Sequence, residues 1–173
     1  LGIGFMQRER ASAAQPQLAS TRADAIDRGA VFPTIGNTLV WRSIYESDGV
    51  LHTDRIRVPW FGTASFAAVD AVPVADAPDD RSMRRQFDRF AWFADAWVAR
   101  DPEDASVIGD ARYSMVSDRY VPVWGIRFDA AGEVEWVDRS RHRRVSPREL
   151  WDEILGKSTS NLRRAGRPPS IVL

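Results

Sequence analysis

The sequence predicts an α+β domain: an antiparallel sheet of four to six strands, arriving as hairpins, packed against one long helix and preceded by an N-terminal helical segment. Three observations carry this expectation. Residues 38–58, "TLVWRSIYESDGVLHTDRIRV", hold two β-favouring runs joined at Asp48-Gly49, the signature of a two-residue hairpin turn. Residues 79–100, "DDRSMRRQFDRFAWFADAWVAR", set Met83, Phe87, Phe90, Ala94 and Trp97 at steps of four, three, four and three, which is one core-facing helical stripe. The remaining strand-like runs follow one another without helices between them, so a parallel α/β fold is disfavoured.

Taken in order, residues 2–28 are rich in Ala, Arg, Gln and Asp and read as helix, interrupted at Pro16 and closed by Gly29. Leu1, Ile3, Phe5 and Met6 precede Arg8, Glu9 and Arg10, the reverse of a signal peptide's order. Two readings fit: the last turns of a transmembrane helix with arginines at the lipid boundary, or an amphipathic first helix. Strands are expected at 38–46 and 50–58, then a loop with a short strand at 66–72. The helix over 81–100 takes its cap near Asp80 or Ser82. Trp92 lies about 180° from Met83 on that helix, away from the core stripe, and needs a second neighbour. Further strands are expected at 106–115, 120–128 and 133–138. "SPRELWDEIL" starts a short helix at Ser146, with Pro147 in the first helical position and Glu149 three residues after the cap. The chain thus divides into a helical segment (1–30), an α+β domain (31–156) and a tail (157–173).

Lys plus Arg and Asp plus Glu both number 24, so the net charge is zero and a nucleic-acid partner is not expected. Charge is nevertheless segregated. Residues 139–173 carry nine basic and three acidic side chains, a basic stretch suited to a membrane surface. Cysteine is absent, which removes disulfides, thiolate metal sites and a Cys nucleophile. The two histidines, His52 and His142, stand 90 residues apart, one on a strand and one in an arginine run. Neither has the spacing of a metal ligand pair, and no metal is expected in this chain. Asp79-Asp80 and Glu103-Asp104 fall where acids commonly act as caps. No GxSxG elbow, P-loop or GxGxxG occurs.

The pointed feature is "VIGDARYSM", residues 107–115. On a strand, Val107, Gly109, Ala111, Tyr113 and Met115 share one face while Ile108, Asp110, Arg112 and Ser114 share the other. In the hairpin, a two-residue turn sets Arg42 opposite Arg55 and Val40 opposite Arg57. Like charges across a ladder repel, so Asp110 with Arg112 is expected to balance the Arg42, Arg55 and Arg57 face. Two other uses stay open. One is a small-molecule or anion-binding pocket lined by Trp41, Trp124, Arg42 and Arg112; the other is a carboxylate enzyme site of Asp110 with Arg112 and Tyr113. The candidate binding residues are therefore Arg42, Asp110, Arg112, Tyr113 and Trp124.

"PTIGNTLVWRSIY" (33–45), "FAWFADAWVA" (90–99), "VIGDARYSM" (107–115) and "VPVWGIRF" (121–128), in this order and separation, resemble the C-terminal soluble region of the YdjM-like membrane-bound family of predicted metal-dependent hydrolases. The likeness covers roughly residues 5–130. It implies an N-terminal transmembrane region that carries the His and acidic residues and any divalent metal, and that serves as this domain's partner. It also implies a bacterial inner-membrane protein with the domain on the cytoplasmic side. On that reading the domain docks, gates substrate or regulates, has no activity alone, and holds no cofactor; the resemblance transfers no catalytic residue.

Overall fold

The computed structural model describes residues 2–34, 38–116 and 119–142. The expected helix from Ser146 and the tail from 157 lie outside the described residues. The α+β class stands, but among the described residues the strands form two antiparallel four-stranded sheets rather than one, and two α-helices accompany them.

The first sheet is a meander of β1 (Arg28–Pro33), β2 (Val40–Ser47), β3 (Val50–Arg57) and β4 (Ser65–Pro73). Asp48 and Gly49 both take positive φ (50° and 74°), as the expected tight turn requires, and Arg42 faces Arg55 while Val40 faces Arg57. One side of this sheet is covered by α1 (Gly2–Ser20). Ala11 and Ala14 pack there against Val31, Trp41, Ile56 and Val58. The helix runs through Pro16 without stopping, and Gln15, Leu18 and Ala19 on either side of it are buried. Tertiary packing thus offsets the hydrogen bond that proline removes.

The N-terminal helix ends at Ser20, eight residues short of the expected limit, and Arg28–Pro33 is a strand. The reason lies at Gly29. A Cβ there would sit 2.3 Å from Gln15 Oε1, and the absent side chain lets Gln15 Nε2 donate to Ala30 O, Ser43 Oγ and Ile44 O. Gly29 permits a close crossing of helix over strand; it does not terminate a helix.

The second sheet is a meander of β5 (Val98–Arg100), β6 (Val107–Asp110), β7 (Trp124–Phe128) and β8 (Val134–Asp138). Helix α2 (Arg81–Phe93) lies on it, burying Phe87, Phe90 and Ala94 against Val98, Ile108 and Ile126. Asp80 caps α2 as expected, its carboxylate accepting from Ser82 N and Met83 N. The helix does not reach residue 100. Asp95 and Ala96 take positive φ (51° and 58°), Ala96 N bonds back to Ala91 O, and the reversed chain enters β5. Trp97 keeps its place in the stripe as a buried residue, now beyond the helix.

The two sheets meet at an antiparallel bridge, Val74 to Ala99, and share a core of Ile44, Leu51 and Val72 from the first with Trp97, Ala99, Ala111 and Tyr120. Among the described residues no helix is long and apolar enough to cross a membrane.

Candidate functional site

The strand expected over 106–115 stops at Asp110, and the reason is Asp110 itself. Its Oδ1 accepts from Arg112 N (2.9 Å) and Arg112 Nε (3.0 Å), while Oδ2 accepts from Arg112 Nη2 (2.8 Å). A carboxylate bonding to the amide two residues on closes a turn and ends the ladder. Asp110 is fully buried, and this hydrogen-bonded pairing raises the Arg112 pKa against the opposing effect of burial.

Arg112 is held from a second side, where Nη2 donates to Phe93 O (2.7 Å) at the end of α2. Its guanidinium carbon lies 5.8 Å from the Phe93 ring centre and 5.6 Å from that of Tyr113. Tyr113 meets Trp124 edge-on at 5.2 Å. Asp110, Arg112, Tyr113 and Trp124 therefore converge, with Phe93 as the joining residue. Phe93 was not among the sequence candidates because an aromatic at a helix end gives no signal of which turn it will meet.

Arg42 approaches the same turn from behind. Its Nε donates to Ala111 O (3.1 Å) and its guanidinium carbon lies 6.0 Å from the Tyr120 ring centre. Burial lowers its pKa to about 10. Among the described residues, Arg42 Nη2 and Tyr120 Oη are buried without a hydrogen-bond partner, and burial also raises the Tyr120 pKa. Asp110 hydrogen-bonds to Arg112, two residues along its own turn, and toward the hairpin it acts through its charge, one of those that with Tyr120, Asp54 and Asp70 favour the charged form of Arg42. Trp41, Trp124, Arg42 and Arg112 do not line one pocket. Trp41 packs beneath α1, on the side of the first sheet opposite Arg42.

A polar network under the end of α1 had no motif to announce it. Arg22 clamps buried Asp54 through two bonds (2.6 and 2.9 Å) and donates to Tyr45 Oη (2.6 Å), which in turn donates to Asp24 Oδ2 (2.6 Å). His52 stacks on Tyr45 at 4.7 Å and has Nε2 3.6 Å from Asp24 Oδ2. The bond to Asp54 is the main cause of a raised Arg22 pKa, and burial, followed by the bond to Asp24, pushes Tyr45 up to about 12. His52 thus has a structural setting: one ring face against an aromatic, one nitrogen toward a carboxylate.

A groove of about 610 Å³ lies between α2 and the β7–β8 hairpin. Phe90, Trp92 and Phe93 form one wall, Ile126, Val134 and Trp136 the other. Trp136 meets Phe90 at 5.8 Å and Phe93 at 5.9 Å, both edge-on. Trp92, which the helical spacing set away from the core stripe, is 86% exposed; α1 lies on the other sheet and does not cross it. The register puts Trp124 on the same sheet face as Ile126 and Trp136, so the Asp110–Arg112 turn sits at one end of this aromatic face.

Among the described residues no three His, Asp or Glu side chains are grouped to hold a metal ion. Comparison with protein-family models, with curated proteins and with solved structures found no match to the chain.

Proposed function

We propose that this is the extramembrane domain of a membrane-anchored metal-dependent hydrolase of the YdjM-like kind, held at the bilayer through the start of α1 and acting by docking, substrate access or regulation. The observation that carries the proposal is an apolar end of the molecule. Ile3, Phe5 and Met6 are exposed at the start of α1. Gln7 Nε2 donates to Val58 O (3.0 Å), and Arg10 donates to Pro59 O (2.7 Å) and Gly62 O (3.0 Å), which pins the loop after β3 beside them. That loop presents Trp60 and Phe61, the latter 94% exposed. Aromatic and aliphatic side chains next to arginine are what a lipid headgroup boundary selects.

The reading that the domain does not catalyse alone is supported by Asp110, whose oxygens are both engaged by Arg112 and shut off from solvent. Divalent-metal chemistry on this proposal belongs to the N-terminal membrane region. Vesicle flotation of the chain tests the membrane contact. Binding to vesicles that contain anionic lipid is expected, with a loss of tenfold or more in the Trp60→Asp/Phe61→Asp variant. Failure of the wild-type chain to float at any lipid composition would overturn it.

A further inference from the structure

Among the described residues, β8 is paired along one side, by β7. Bonds from Asp129 N to Glu133 O and from Arg139 N to Val123 O fix which residues of this ladder turn toward β7. By the alternation of an antiparallel pair these include Glu133, Glu135, Val137 and Arg139, so Val134 and Trp136 aim their backbone N–H and C=O at the open edge. Such edges are ordinarily blunted by lysine, proline or a bulge, and β8 carries none of them. Its side chains on the α2 face, Val134 and Trp136, are exposed as well, as is Trp92 across the groove.

We infer that a second copy of this chain takes up this edge, β8 pairing antiparallel with the partner's β8 about a two-fold axis at Trp136. The inference uses the second sheet alone and does not depend on how the domain is held at a membrane.

The sequence of the edge selects its own copy. With Trp136 opposite the partner's Trp136, "EVEWVDR" (133–139) lies against itself with Glu133 opposite the partner's Arg139, Val134 opposite the partner's Asp138 and Glu135 opposite the partner's Val137. Opposite charges meet at both ends of this ladder, and nowhere along it do like charges stand directly across from each other. The register also sets outward-turned residues against outward-turned residues, so Trp136 and the partner's Trp136 exchange both backbone bonds. The axis stands perpendicular to the sheet, which continues as one antiparallel sheet of eight strands with both α2 helices on the same face. The two grooves then merge into a trough with a cross-strand tryptophan pair at its centre. Each groove carries one acid, Asp88, beside one base, Arg89, so the face does not repel its copy. On the other face of the sheet Glu135 keeps its own Arg127 (2.9 Å) and Arg139 its own Asp101 (2.7 Å).

The cysteine-free chain allows a test of register as well as of association. Glu135 and the partner's Val137 form a non-hydrogen-bonded pair of the new ladder, about 4.5 Å apart at Cα, which suits a disulfide. Chains carrying Glu135→Cys mixed with chains carrying Val137→Cys are expected to form the mixed disulfide at least tenfold faster than either chain links to itself. Adding Trp136→Asp to both should slow it by tenfold or more, while amide exchange in β5 and β6 stays unchanged and so reports an intact second sheet. Sedimentation of the unaltered chain is expected to show a monomer–dimer equilibrium, shifted to monomer by Val134→Pro, which deletes an outward N–H and no bond to β7. Equal rates for mixed and self-linked disulfides would overturn the inference. So would an unaltered chain that stays monomeric up to millimolar concentration, whether its β8 amides then exchange freely or are protected by another segment of the same chain.

Discussion

Gly109 and Gly125 face each other directly across the β6–β7 ladder, and each leaves a space that a neighbour fills. A Cβ on Gly109 would fall 2.3 Å from Pro122 Cβ and 2.7 Å from Tyr120 Oη; one on Gly125 would fall 2.7 Å from the Ile108 carbonyl oxygen. The paired absence of side chains lets the 120–123 segment close over the sheet and bring Tyr120 into the shared core. Gly125→Ala, whose obstacle is backbone, should cost about 3 kcal/mol in urea denaturation. A loss under about 0.5 kcal/mol would mean that the sheet adjusts freely there.

The Asp110–Arg112 pair and Arg42 should respond in opposite ways to substitution. Asp110→Asn leaves Arg112 without its counter-charge and should lower stability by about 2–4 kcal/mol. Arg42→Met removes a buried charge with one unpartnered nitrogen and keeps the volume. It should leave stability within about 1 kcal/mol of the parent or raise it. Thermal and urea unfolding of both variants would check this contrast.

Under α1, Asp54 is 1% exposed and is answered by Arg22. Arg22→Met should therefore destabilise by about 3–5 kcal/mol, because the carboxylate is left buried and unpaired. Asp54→Asn with Arg22→Met together should recover part of that loss, a coupling readable from a double-mutant cycle.

Alkaline pH offers a separate handle. The Tyr45 hydroxyl ionises at about 12 in the folded protein, against about 10 in an unfolded chain. Between those values the unfolded state has released the proton and the folded state still holds it. Stability present below pH 10 is thus lost as pH rises toward 12. The loss attributable to this group is on the order of 2 kcal/mol. Tyr45→Phe should show a flatter decline over that range and lack a tyrosinate absorbance step near pH 12. Comparison within this pair isolates Tyr45 from Arg42, whose burial acts with the opposite sign above pH 10.

Local chemistry was legible where it was self-contained. Asp48-Gly49 set the turn and thereby the Arg42–Arg55 register, and Asp80 capped α2 in place. What escaped depended on contacts across the chain. β1 has Gly29 and Pro33 in six residues and a single buried side chain, Val31, so neither alternation nor propensity marked it; its partner β2 made it a strand. The three residues of β5 were hidden in a helical stripe that remained apolar beyond the helix's end. At the candidate site, a spacing of two at Asp110 and Arg112 fitted a strand face and an Asx turn equally well. The carboxylate's choice of the Arg112 amide decided for the turn.

The bridge between Val74 and Ala99 bears on how the molecule assembles. Each meander joins only strands adjacent in the chain, so its pairings close short loops and can zip from the Asp48-Gly49 hairpin and the β7–β8 hairpin separately. The shared core, where Leu51 and Val72 meet Trp97 and Tyr120, requires both halves at once. That seam is the step of highest sequence separation. Its side chains should carry low φ-values, with substitutions there speeding unfolding more than they slow folding.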